Sequence, residues 1–219
     1  MPGMRALARV PLLCLPILLA AAAPPPTPAE IAARLQTACR RIDTLDAEFT
    51  QVLHSLSFGE PQEERGRLRL LRPARMRWDY TSPERKLAVV DGEHSWLYIP
   101  DENQVIVGDL DEVRRGGAAG LLLTGEIDLA REFKIEAGAG APAAGQGIIA
   151  LIPRVAGEEF SRLEVLVDLG TGLPVRIEVH TALGEVMEYR FSKVRTGMPL
   201  AAGIFHFEPP AGVEILRAE

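Results

Sequence analysis

The sequence predicts a mainly β protein, an antiparallel meander of about eleven short strands preceded by one amphipathic helix. Three observations lead there. Apolar residues recur at helical spacing from Ile31 through Leu35, Ala38 and Ile42 to Leu45. From Asp46 onward the period changes to two, as in Leu68 and Leu70 between Arg67 and Arg69, or Met76, Trp78 and Tyr80 between Arg75, Arg77 and Asp79. Turn residues then divide the alternating runs at hairpin intervals: Asp91-Gly92, Pro100 to Asn103, Gly170 to Gly172, and Leu183-Gly184. With 219 residues, 47% hydrophobic and 25% charged, the chain can bury a core without metals or disulfides. The net charge of −6 argues against a nucleic-acid binder.

Taken in order, the chain opens with Arg5 and Arg9 ahead of an apolar run from Val10 to Ala23, ending in small residues. Residues 1–23 read as a secretory signal peptide, too short in its apolar part for the roughly 20 residues of a membrane-spanning helix. Cys14 lies inside that run after Leu12 and Leu13 and makes no convincing lipidation site. Residues 24–28 form a stiff Pro-rich tail, and residues 29–219 are expected to be a single domain. Thr27 as N-cap, Pro28 at the first helical position and Glu30 at the third make a capping box. Between Asp111 and Thr124 the alternation stops, and Gly116-Gly117 leads into Leu121, Leu122 and Leu123, a short apolar helix or turn. Ala137 to Gly147 is a Gly, Ala and Pro run suited to a hairpin tip.

Catalytic signatures are missing from the sequence. His54, His94, His180 and His206 are far apart, without metal-ligand spacing. There is no nucleophile elbow and no phosphate-cradling loop, and Gly138-Ala139-Gly140 is followed by Pro142, not by a helix. The strand acids Asp79, Glu164 and Glu178 fall on the polar phase. Cys39 lies in the helical pattern, where a small packed residue explains it better than a nucleophile. No cofactor is expected. A curled sheet of this size encloses more apolar surface than one helix fills, so Trp78, Tyr80, Trp96 and Tyr98 either line a space or pack into a core. Periodicity leaves both open.

Several segments in order resemble one family. Arg72-Pro73, Met76-Arg77-Trp78-Asp79-Tyr80, Ser82-Pro83, Val90-Asp91-Gly92 and Trp96-Leu97-Tyr98 are similar to the central signature of the LolA family, periplasmic carriers of outer-membrane lipoproteins. Leu45 to Gln51 resembles the strand after its first helix, and Tyr189-Arg190-Phe191 with Phe205 to Val213 resembles its closing pattern. The resemblance implies an unclosed antiparallel β-barrel with an α-helical lid over a hydrophobic cavity. It implies a non-enzymatic periplasmic chaperone that shields the acyl chains of lipoproteins and moves them from the inner to the outer membrane. Implied partners are the acylated cargo, an inner-membrane ABC transporter that releases it and an outer-membrane receptor, with the carrier a monomer and no nucleic acid involved.

On this reading Phe49, Leu68, Leu70, Met76, Trp78, Tyr80, Trp96 and Tyr98 line the cavity, and Ile31, Leu35, Leu121, Leu122 and Leu123 belong to the lid. Met76 stands where the family often has an aromatic residue. Arg72 shares the parity of Leu68 and Leu70, so it points to the apolar side at a strand end fixed by Pro73. It matches the family arginine tied to lid closure and transfer, and is expected to donate to backbone carbonyls of Gly116 to Thr124. Arg65, Arg67, Arg69, Arg75 and Arg77 form a wet face, with contact to acidic membrane or transporter surfaces as a second role. The alternatives are an envelope-stress sensor module of RseB type and a lipid-processing enzyme.

Overall fold

The computed structural model describes residues 24–55, 59–109, 118–155 and 160–217. The segments read as signal peptide (1–23) and as the start of the apolar turn (111–117) lie outside the described residues. Helix α1 spans Pro28–Arg40, and its capping box is complete: the Thr27 side chain accepts from the Glu30 amide while Glu30 reaches back to the Thr27 amide at 2.8 Å. Its buried stripe is Ile31, Ala32, Leu35 and Cys39, continued by Ile42 beyond the helix. Leu45 already belongs to the first strand, because the helix is closed at Arg41, whose amide turns back to Ala38 and Cys39.

The strands are β1 (Thr44–His54), β2 (Gln62–Leu71), β3 (Arg75–Ser82), β4 (Lys86–Val90), β5 (His94–Ile99), β6 (Gln104–Asp109), β7 (Phe133–Ala137), β8 (Gln146–Pro153), β9 (Arg162–Asp168), β10 (Pro174–His180), β11 (Val186–Thr196) and β12 (Glu214–Arg217). They form one twelve-stranded sheet in the order β12-β6-β5-β4-β3-β2-β1-β11-β10-β9-β8-β7. Its two edges, β12 and β7, do not pair, so the barrel is unclosed. The strand beyond the expected meander is β12, which pairs with β6 in parallel. Among the described residues, two short helices, α2 (Ala118–Thr124) and α3 (Leu129–Glu132), lie between β6 and β7.

The sheet curls around the helices. Helix α2 touches β10, and a Cβ on its Gly120 would stand 3.2 Å from the sulfur of Met76 in β3, four strands away in the sheet order. Helix α1 lies on β7 and β8. Inward residues from both halves therefore merge into one apolar cluster with the helices, including Leu68, Leu70, Phe49, Ile149, Leu151, Val165 and Ile177. Each fully buried aliphatic side chain contributes about 1.5–3 kcal/mol, which is why the alternation fixes the register so firmly.

A second, smaller apolar layer covers the outside of β4, β5 and β6. Val89, Val105 and Phe205 are fully buried there, and the segment after β11 lies across it. Phe207 packs against Trp96 at 5.7 Å and Tyr98 at 5.8 Å between ring centroids. Arg77 donates to the Ile204 carbonyl at 2.9 Å and holds that segment to β3.

Candidate functional site

The concave face of the sheet under α1 and α2 is the candidate site. On β1, β2 and β3 the register places Phe49 opposite Gly66, and Leu68 opposite both Ala47 and Trp78. Leu68 and Leu70 are 0% and 2% exposed, and Met76 is buried beside them under α2. Phe49 meets Trp78 edge-on at 4.9 Å and Tyr80 at 5.0 Å, with Tyr189 at 5.8 Å from Trp78. Such edge-to-face pairs add about 0.5–1.5 kcal/mol each beyond their burial. The close packing of Phe49 requires a glycine opposite, since a Cβ at Gly66 would stand 2.8 Å from the ring and 2.1 Å from the Asp79 carbonyl. Burial pushes the Tyr80 hydroxyl far above the ordinary phenol range and the Tyr189 hydroxyl up to about 12, so both stay neutral donors.

Trp96 and Tyr98 do not share this face, contrary to expectation. Leu97 pairs with Ala88, which pairs with Trp78, so Leu97 is the inward residue. Trp96 and Tyr98 sit across from Val89 and Leu87 on the outer face, and Trp96 donates to Asp91 at 3.2 Å. The parity misled because β4 and β5 are apolar on both faces, one covered from inside and the other by Phe205 and Phe207.

Arg72 also differs in its partners. Its guanidinium donates to backbone carbonyls, but to those of Cys39 and Ile42, each at 2.8 Å, and its own amide donates to Asp43 at 2.9 Å. Among the described residues these partners stand at the end of α1 and not in residues 118–124 of the expected segment, whose Gly116 and Gly117 lie outside the described residues. A helix C-terminus carries unpaired carbonyls and a partial negative charge, so a cation with a planar fork is held there for electrostatic as well as geometric reasons. The α2–α3 connection rests on the other side of the same helix end: Gly125 is at φ +67°, and a Cβ there would be 2.7 Å from Cys39 and Arg40 backbone atoms. Gln36 of α1 ties that connection down, donating to the Gly125 carbonyl at 3.3 Å and accepting from the Leu129 amide at 2.8 Å.

Of the expected lid residues, Ile31, Leu35, Leu122 and Leu123 are buried on the concave face, and Leu121 lies in α2. Cys39, 1% exposed, lies under the same helix, with its thiol pushed up to about 12 by burial. The arginine run faces outward as expected, but much of its charge is engaged. Arg67 makes a two-pronged bond to Asp46 at 2.6 and 2.7 Å, and Arg69 and Arg77 converge on Asp79.

Sequence reasoning missed Gln51, Glu64, Lys86 and Tyr189, which stand at one end of the concave face. The Tyr80 hydroxyl donates to Gln51 at 3.0 Å, Gln51 donates to Glu64 at 3.2 Å, and Glu64 pairs with Lys86. Parity with Phe49 was the available signal for Gln51. Lys86 follows the turn at Ser82 to Arg85, so its phase is set by pairing with Tyr80 and not by any local pattern.

Among the described residues, no group of three His, Cys, Asp or Glu could hold a metal ion, and no helix is long and apolar enough to cross a membrane. The class so defined is a half-barrel: an unclosed sheet whose apolar concave face is covered by helices fastened through a few polar bonds. A family model described as outer membrane lipoprotein carrier protein LolA matches residues 40–208. The chain belongs to that family.

The outer-membrane lipoprotein carrier protein of Methylococcus capsulatus is 34% identical over 217 residues, covering 99% of both chains. That of Alkalilimnicola ehrlichii is 33% identical over 179 residues, covering 81% of this chain and 79% of its own. Among solved structures, an uncharacterized conserved protein from Thermus thermophilus aligns with a TM-score of 0.55 at 14% identity, over 87% of this chain and 98% of its own. MucB aligns at 0.50 and 17% identity over 86% of this chain and 64% of its own. These two likenesses concern the fold.

Proposed function

We propose that this protein is a periplasmic carrier of acylated lipoproteins, holding their acyl chains against the concave face while the cargo passes between membranes. The observation that carries the reading is the cover itself. Helices α1 and α2 supply apolar side chains to the interior that acyl chains would need, and they are fastened at the α1 end by Arg72 and Gln36. Kinship with lipoprotein carriers along 99% of the chain supports the cargo class.

The energetics favour such a device. Each CH₂ of an acyl chain taken out of water is worth about 0.8 kcal/mol, so several chains fully enclosed would exceed the roughly 18–21 kcal/mol at which noncovalent affinity saturates. Displacing Ile31, Leu35, Leu122 and Leu123 from their resting contacts offsets part of that gain, so the cargo is kept dry yet bound loosely enough to be passed on. In this reading Arg72 is the latch, Phe49, Leu68, Leu70, Met76, Trp78 and Tyr80 line the opened cavity, and no chemistry is performed on the cargo. An inner-membrane transporter delivers the cargo and an outer-membrane receptor takes it.

Native mass spectrometry after incubation with a diacylated lipopeptide tests the proposal. A complex holding the unaltered lipopeptide is the expected result. Deacylated product would indicate a lipid-processing enzyme, and the absence of any complex would remove the carrier reading.

A further inference from the structure

The concave face changes character along its length. Three strands of this part of the sheet pass from apolar to polar on their inward phase: the neighbours β1, from Leu45 to Gln51, and β2, from Leu70 to Glu64, and, across β3, β4 from Val90 to Lys86. The apolar end lies near the α1 terminus held by Arg72. At the polar end the side chains of Lys86 and Glu64 are 23% and 20% exposed, so they border both the interior and water. The Lys86 ammonium pairs with Glu64 and stands 4.8 Å from the Tyr80 ring centroid.

Resting on the carrier reading, we infer that Gln51, Glu64, Tyr80 and Lys86 form a subsite for neutral carbonyls, and that it takes the ester carbonyls of the diacylglyceryl group at the root of the cargo's acyl chains. The donor inventory fits. An ammonium has three N–H groups and a carboxamide two, so Lys86 and Gln51 keep donors beyond those given to Glu64. Tyr80 orients the Gln51 amide by donating to its oxygen at 3.0 Å, which turns the NH₂ toward Glu64. The fixed carboxylate decides the ligand's charge. A phosphate or fatty-acid carboxylate brought to Lys86 would meet Glu64 at close range and be repelled, whereas an ester oxygen is accepted without disturbing the pair. Chains running toward the apolar end leave their carbonyls at this one.

The test compares the full chain with Lys86→Met and with the double variant Glu64→Leu, Lys86→Met, which leaves no unpaired acid and adds no donor. Dissociation constants are measured for a diacylated-cysteine lipopeptide with ester linkages and for its dialkyl ether analogue of equal chain length. A charge-assisted hydrogen bond from Lys86 predicts that the unmodified protein prefers the ester form by about tenfold or more, and that in both variants the preference falls several-fold, to what the neutral Gln51 amide supplies. An ester preference of undiminished strength in both variants, or one that the unmodified protein lacks while binding both lipopeptides, overturns the subsite. Failure to bind either lipopeptide strikes the carrier reading itself, and the subsite with it.

Discussion

Asp46 lies on the outer phase of β1, 2% exposed, and accepts from Arg67 and Arg195. The Arg67 hydrogen bond is the largest of the effects holding its carboxyl at about 2, below the ordinary 3.8. The folded-state value is depressed, so the stabilisation is complete above about pH 5 and is lost as pH falls toward 2. Asp46→Asn should cost about 1–2 kcal/mol at pH 7, the lower end reflecting the half-exposed arginines, and almost nothing near pH 2. Urea denaturation at the two pH values checks this; an equal loss at both would assign the effect to packing. Gly66 makes a different demand, because its β-carbon would collide with the Asp79 carbonyl and the Phe49 ring. Gly66→Ala should lower stability by roughly 3 kcal/mol, read as a shift in the urea midpoint.

At the scale of elements, α1 is held by its apolar stripe and by Arg72 at its C-terminus. Arg72→Leu removes two charge-assisted bonds and leaves carbonyls of Cys39 and Ile42 without that partner, so the helix end should open more often while the sheet stays folded. Amide exchange around Cys39 to Asp43 should quicken by about tenfold or more while that of β9 and β10 stays unchanged; uniform change across the chain would mean that Arg72 merely stabilises the whole fold. Much of this element was legible beforehand. Thr27, Pro28 and Glu30 announce the helix start, and the clean alternation of β2 and β3 assigns Leu68, Leu70, Trp78 and Tyr80 to the inner face. The partner of Arg72 was not legible, since nothing local says which backbone segment a long-range fork will meet. Trp96 and Tyr98 were misread because alternation carries no direction in a strand that is apolar on both faces. β12 was missed because four exposed residues, paired only through β6, leave no periodic trace.

In the whole molecule, the unpaired edges and the single sheet allow the concave face to widen without breaking a ring of hydrogen bonds, and the helices occupy that face at rest. Overall class was readable from period and turns; the packing of helix side chains against the concave face was not, because composition is the same for a packed core and a covered cavity. The central claim is that cargo chains take the place of the helix side chains. Cys39 reports on this directly, being buried beneath α1 with its thiol raised to about 12 and therefore inert while covered. In the chain with Cys14→Ser, the rate of thiol labelling at Cys39 is measured with and without a saturating diacylated lipopeptide. Displacement of α1 predicts faster labelling in the loaded protein. Tight lipopeptide binding with Cys39 as protected as before would place the acyl chains elsewhere and contradict the account.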